Sequence, residues 1–166
     1  MKSLAVLAGL GLAIATGPVH ADDHSVAMHE HSPAKAEAWA PGLGEIMSLQ
    51  QMRHAKLWLA GSRANWALAG YELDELREGF EDAGKLHPTH GNVPVAALIA
   101  RLTPAPLEAV GKAIEAKSAA DFRKSFDKLT AACNACHQAA DHGFIRIQRP
   151  RGSAFSNQIF EPTSSK

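Results

Sequence analysis

Residues 118–140, SAADFRKSFDKLTAACNACHQAA, give the clearest indication of how this chain folds. Placed at 100° per residue, the large apolar side chains of this segment share one stripe, about 100° wide, with both cysteines. The stripe consists of Phe122, Phe126, Leu129, Cys133, Cys136, His137 and Ala140. Ser118 and Asp121 have the spacing of a capping box, in which the two side chains cover each other's orphan amides. The sequence therefore predicts a long amphipathic helix that begins near Ser118 and buries the cysteine-bearing face.

The two cysteines belong to a C-x-x-C-H motif, Cys133, Cys136 and His137, and the chain contains no other cysteine. Two thiols at this spacing can form thioethers to the vinyl groups of one haem, and His137 then lies beneath the iron as proximal ligand. Structural zinc would need a second pair of ligands, and a thioredoxin-like dithiol would need a βαβ context. We therefore expect one covalent haem c, with a redox disulfide as the alternative.

Residues 1–21 have the pattern of a secretory signal peptide. Lys2 precedes an apolar run at 4–15, and Val19-His20-Ala21 is a small-x-small cleavage site. The apolar run is too short for a comfortable membrane span. Covalent haem attachment in bacteria takes place outside the cytoplasmic membrane, so the signal agrees with the motif and predicts a periplasmic location. A retained N-terminal anchor is the alternative.

The composition favours one helical domain without net charge. The 17 Lys and Arg residues balance the 17 Asp and Glu residues, which argues against a nucleic acid as partner. Ala, Leu, Glu and Lys dominate after residue 43, and the chain has a single tyrosine. The partners we expect are redox proteins of the periplasm, and a homodimer is a possible assembly.

Residues 22–41 are polar, contain Pro33 and Pro41, and show no sustained apolar period, which predicts a flexible leader. Four of its side chains offer imidazole and thioether groups that suit copper. They are His24, Met28, His29 and His31. A polar tail that is rich in histidine without binding metal is the simpler interpretation.

Three helical segments are expected before the cysteine-bearing helix. The first runs from residue 43 to a stop at Gly61, and the second covers 66–83, with Asn65 as its N-cap and Gly84 as its stop. Trp66, Ala69, Leu73, Leu76 and Phe80 form the apolar stripe of the second segment. After a loop at 85–93, a broken third helix is expected at 94–101 and 107–117, interrupted at Thr103-Pro104. The predicted fold is an all-α four-helix bundle over residues 42–142.

Residues 143–166 follow the bundle and are expected to form a strap. Phe144, Phe155 and Phe160 would be costly to expose at such density, so the strap should pack back over the bundle. It would then shield a haem edge, or it would only complete the core.

The order of these features resembles the cytochrome c′-like group of small periplasmic haem proteins, whose C-x-x-C-H also lies on the last helix of a four-helix bundle. The resemblance covers residues 43–141 in architecture, and only Cys133, Cys136 and His137 match residue by residue. It implies thioether attachment and proximal ligation for those three. The chain lacks the basic residue that usually follows the motif of that group, since Gln138 stands there. MRHAKLW at 52–58, ACNACH at 132–137 and FSNQ at 155–158 are also similar to an uncharacterised group of exported monohaem proteins.

The residue on the distal side of the iron determines whether the protein is expected to transfer electrons or to bind a small ligand. In the cytochrome c′ pattern the first helix presents an apolar residue there, whereas this chain presents His54, whose second nitrogen could donate to Gln50. His54 is therefore the leading candidate for the sixth ligand, with Met47 on the same face as a weaker one. His87 or His90 in the loop, and an open or water-bound site, are the remaining alternatives. Met52 points away, and His142 follows His137 too soon to reach the opposite face.

Two strong axial ligands would restrict the protein to electron transfer, which is the leading prediction. An open, five-coordinate iron would instead bind NO, CO or another small ligand. Peroxidase-like catalysis is a distant third possibility, because Arg53 projects about 100° away from His54 along the helix.

Overall fold

The computed structural model describes residues 39–163. The predicted signal peptide, the four candidate copper ligands of the leader and residues 164–166 of the strap lie outside the described residues. Within the described part of the chain, none of the helices is long and apolar enough to cross a membrane.

The described residues form five helices and no strand, which confirms the all-α prediction. The helices are α1 (Leu43–Gly61), α2 (Trp66–Leu86), α3 (Val95–Leu102), α4 (Pro104–Glu115) and α5 (Ala119–Ala139). The expected broken third helix corresponds to α3 and α4, which are separated only by Thr103. Pro104 can begin α4 because the first position of a helix needs no amide hydrogen. Outside the helices, His90 and Val93 form an isolated β-bridge in the predicted loop.

Helix α2 begins as predicted and ends later than predicted. The side chain of Asn65 caps it by accepting a hydrogen bond from the Leu68 amide at 3.2 Å. Gly84 does not stop the helix, which continues to Leu86. The chain leaves the helix at His87, because the residue before a proline, here Pro88, is disfavoured in the α region. The predicted stop at Gly84 was therefore wrong by three residues.

Half of the predicted capping box is present at the start of α5. The Ser118 hydroxyl accepts from the Asp121 amide at 3.3 Å, as expected. The Asp121 carboxylate, however, accepts from the Ser118 hydroxyl at 2.7 Å and not from the Ser118 amide. That amide donates to the Ala113 carbonyl at 3.0 Å, because α4 ends there and its last carbonyls need donors.

The core lies where α1, α2, α4 and α5 meet. Helices α1 and α2 pack along each other as an antiparallel pair, α4 packs on α5, and α3 contacts both α2 and α5. The predicted stripe of α2 is buried except for Trp66, which is half-buried. The predicted stripe of α5 is buried as far as Leu129, whereas its last four members, Cys133, Cys136, His137 and Ala140, are half-buried. The fully buried large side chains are Leu57, Leu73, Leu76, Val110, Phe122, Phe126 and Leu129. Each stabilises the fold by roughly 1.5–3 kcal/mol relative to exposure.

The strap packs back on the helices, as expected for two of its three phenylalanines. Phe160 is buried and Phe155 is half-buried against the core, but Phe144 is 79% exposed. The Asn65 side chain donates to the Phe160 carbonyl at 3.2 Å, which ties the end of the strap to the start of α2. Arg149 lies over the Trp58 ring at 4.5 Å and donates to Asp127 at 2.7 Å.

Candidate cofactor cavity

A cavity of about 320 Å³ brings the sequence-predicted site residues together. All three residues of the motif, Cys133, Cys136 and His137, contribute to its wall. The two leading candidates for the distal ligand, His54 and Met47, also line it. The rest of the wall is mostly apolar, which is typical of a cofactor pocket. The structure therefore joins α1, α5 and the strap around a single site.

His137 is held in one defined tautomer. Its Nδ1 lies 2.9 Å from the carbonyl oxygen of Ile145. A carbonyl can only accept, so Nδ1 carries the hydrogen, and in the neutral ring Nε2 has a free lone pair. Metal-binding histidines show this arrangement, in which a hydrogen bond at one nitrogen orients the other. This partner could not be predicted from the sequence, because Ile145 reaches His137 only through the turn after α5.

That turn is shaped by a left-handed residue. Asp141 has φ of 58°, and the His142 amide then donates to the His137 carbonyl at 2.8 Å. The Ile145 amide donates in turn to the His142 carbonyl at 2.8 Å. These bonds fix the position of the carbonyl that orients His137.

Both cysteines are free thiols with little tendency to ionise. Burial raises the pKa of Cys133 to about 11. Burial also raises the pKa of Cys136, although the positive charge of Arg101 acts in the opposite direction. A redox-active dithiol needs a lowered thiol pKa, so the disulfide alternative has no support from this environment.

His54 is buried, as predicted, and its hydrogen-bond partner is Thr130. Its Nε2 lies 2.9 Å from the Thr130 hydroxyl oxygen, and that hydroxyl donates its only hydrogen to the Phe126 carbonyl, also at 2.9 Å. His54 must therefore donate from Nε2. Burial lowers the pKa of His54 to about 4, so the ring is neutral at physiological pH. Its centroid lies 4.4 Å from that of Phe126.

The expected partnership between His54 and Gln50 was wrong. Gln50 is buried and donates from Nε2 to the Leu76 carbonyl at 2.8 Å, and its Oε1 has no partner among the described residues. The amide lies against Gly79, where an added Cβ would be 2.5 Å from Oε1. Gln50 is therefore directed toward α2 rather than along α1, a choice that the sequence of α1 alone does not reveal.

Of the other histidines among residues 39–163, two line the cavity and one lies outside it. His90 lines the cavity, whereas His87 does not and points its Nε2 at the Pro41 carbonyl, 2.8 Å away. His142 also lines the cavity, a position that the sequence did not indicate. Its Nδ1 donates to the Ala140 carbonyl at 2.6 Å, and its ring lies against Phe144.

The strap supplies part of the cavity wall through Ile145 and Ile147. Asn134, a variable position inside the motif, holds this part of the strap in place. Its side chain donates to the Ile147 carbonyl at 2.9 Å and accepts from the Ile147 amide at 2.7 Å. This role of Asn134 could not be predicted from the sequence, because a C-x-x-C-H motif places no requirement on that position.

The donor set fits a haem rather than a bare metal ion. Among residues 39–163, no three His, Cys, Asp or Glu side chains are grouped so that they could hold a metal ion. A porphyrin brings four nitrogen ligands of its own and needs only axial groups such as the free Nε2 of His137. Two thiols at the wall and a mostly apolar lining are compatible with haem c.

The comparisons with known proteins add no relative from which a function could be transferred. No protein-family model, curated protein or solved structure matches this chain. The cavity and its side chains are therefore the basis for assigning a function.

Proposed function

We propose that this protein is an exported c-type cytochrome that carries electrons on one haem c, in a bundle similar to that of the cytochrome c′-like proteins. The observation that carries the proposal is the orientation of His137. Its Nδ1 hydrogen is committed to Ile145, which leaves the lone pair of Nε2 free, and His137 lines a cavity whose wall also contains Cys133 and Cys136.

In this proposal Cys133 and Cys136 hold the cofactor by thioether bonds, and His137 is the proximal ligand. When bound, the haem supplies an iron that gains and loses one electron. The apolar side chains of the wall exclude water from the cofactor. Ile145 and Ile147 of the strap, held by Asn134, close part of the same wall.

Electron transfer is favoured by the residues available for the sixth position. His54 and Met47 both line the cavity, and ligation by either would leave no place for a substrate. A peroxidase needs a distal base with an arginine beside it. Arg53 is instead paired with Glu75 on the neighbouring helix, so it does not serve that purpose.

A second candidate function is the binding of NO, CO or another small ligand to five-coordinate iron. It is favoured by the hydrogen bond from His54 to Thr130, because a histidine held at Nε2 is not free to ligate through that atom. Ligation of the iron by Met47 would favour electron transfer, and a sixth position without Met47 would favour the binding of a small ligand.

The proposal is tested by producing the full chain in a bacterium that attaches haem c. The wild-type protein should retain haem after denaturing electrophoresis, and the Cys133→Ala, Cys136→Ala double variant should not. His137→Ala should alter the optical spectrum, whereas His87→Ala, which lies outside the cavity, should not.

Sharp α and β bands in the reduced wild-type protein would support electron transfer, since they indicate six-coordinate low-spin iron. A broad high-spin spectrum would support ligand binding instead. Haem that is extracted from the wild type by acid acetone would contradict the thioether bonds and the proposal with them.

A further inference from the structure

We infer that the sulfur of Met47, and not the imidazole of His54, is the second axial ligand of the iron. This inference rests on the proposed haem c site and names the group that completes it. Three observations support it: the register of α1 against α5, the anchoring of His54, and the chemistry of a thioether at this position.

The register of α1 against α5 is given by three side-chain contacts. Gly61 of α1 lies against the ring of Phe122. One turn earlier on α1, Trp58 lies against Phe126, with 5.0 Å between ring centroids. One turn earlier again, His54 hydrogen-bonds to Thr130. A step toward the start of α1 is thus matched by an equal step toward the end of α5, so the two helices run antiparallel.

The same register places Met47 opposite His137. Met47 precedes His54 by seven residues, and His137 follows Thr130 by seven residues, which is about two helical turns on each helix. Residues seven apart lie on the same face of a helix. Met47 and His137 therefore face each other across the cavity as His54 and Thr130 do deeper in the bundle, and both line the cavity.

His54 is anchored away from the level of His137. Its ring is fixed at one edge by the hydrogen bond to Thr130 and on one face by Phe126. Two helical turns correspond to about 11 Å along the axis. A haem iron with both axial positions occupied would need two donor atoms on opposite sides of it. His54 would have to give up both contacts to provide the second nitrogen.

Met47 has the reach and the chemistry that the position needs. Its unbranched side chain has three rotatable bonds and adapts to irregular spaces. A thioether is uncharged at every pH, so it enters an apolar wall without the desolvation cost of an ionised group. Methionine opposite histidine is an established axial pair in cytochromes and raises the reduction potential relative to two histidines.

The test uses the haem-loaded full chain and its ferric absorption spectrum. The wild type should show the weak far-red charge-transfer band of a methionine–iron bond and should bind CO poorly when reduced. Met47→Leu, which keeps the volume and removes the sulfur, should lose this band, become high-spin and bind CO readily. Met47→His should restore a low-spin spectrum with a lower reduction potential.

Two controls separate ligation from packing. Met52→Leu makes the same change on the same helix, at a half-buried methionine outside the cavity wall, and should leave the band in place. His54→Leu should also leave the band in place, although it removes the bond to Thr130.

The inference is overturned if the band is absent from the wild type, or if His54→Leu and not Met47→Leu converts the iron to high spin. In either case the proposed function would survive if the wild type still holds covalent haem and shows the sharp α and β bands of six-coordinate iron. Absence of covalent haem in the wild type would overturn the proposed function and this inference together.

Discussion

The ring of Phe122 lies directly over the α-carbon of Gly61, so that a methyl group at position 61 would overlap three atoms of the ring. Gly61→Ala should therefore destabilise the fold by about 1–3 kcal/mol through overpacking, although alanine is the better helix former. Chemical denaturation measures this change. Gly70→Ala is the matched control, because nothing lies within 4 Å of its added methyl group, and it should be neutral or stabilising. Equal effects at both positions would contradict the close contact.

Phe126 is fully buried and contacts Phe122, Trp58 and His54. Phe126→Ala should destabilise the protein by roughly 3–5 kcal/mol, because it removes a large apolar side chain and leaves a cavity. Thermal and chemical unfolding would report the loss. Phe144→Ala, at the exposed phenylalanine of the strap, should change stability by less than about 0.5 kcal/mol. An unchanged midpoint for Phe126→Ala would show that α5 buries a different face.

His54 should make the protein less stable in acid. Burial lowers its pKa from the ordinary 6.5 to about 4, so between these values the unfolded chain binds a proton that the folded chain does not. The free energy of unfolding should fall as the pH decreases from 6.5 through 4, by on the order of 3 kcal/mol. Above pH 6.5 the contribution of His54 to the free energy of unfolding is fully present.

Chemical denaturation at several pH values isolates this contribution by comparison with His54→Phe, which has no proton to bind. The unfolding free energy of the wild type, minus that of His54→Phe, should decrease as the pH decreases. A difference that stays constant across the range would show that His54 does not titrate as described.

Asn134 should hold the strap in place and so protect it from proteolysis. Asn134→Ala removes both hydrogen bonds to Ile147, each worth about 1 kcal/mol, so the adjoining strap should open more often. Trypsin cleavage after the exposed Arg151 should become faster, while the helices remain intact by circular dichroism. Asn157→Ala, at an exposed asparagine of the same strap, should leave the cleavage rate unchanged. Equal rates for the two variants would show that Asn134 does not hold the strap.

The local signals in the sequence predicted most of the helices. The bounds of α1, the Asn65 cap and the break at Thr103 depend on neighbouring residues, and all three were confirmed. Gly61 was expected to act as a stop through backbone freedom, yet it is still helical and its role is the contact with Phe122. The chain takes its left-handed turn three residues later, at Ala64, with φ of 58°.

The polar contacts of the cavity could not be predicted in the same way. Thr130 is 76 residues from His54, and Gln50 has to choose between a neighbour on its own helix and the Leu76 carbonyl of α2. Such choices depend on which helices pack together and at what register. The apolar stripes predicted that His54, Cys133 and His137 are on inward faces, but not which atoms they meet there.

The position of Cys133 in the cavity wall has a consequence for the order of assembly. In the finished fold its thiol is almost never ionised, because its pKa is about 11, and Ile145 and Ile147 from the strap already form part of the surrounding wall. A rigid porphyrin can therefore reach this sulfur only before α5 and the strap have closed around it. Under the proposed function, attachment of the haem precedes folding, and a chain that folds first stays empty.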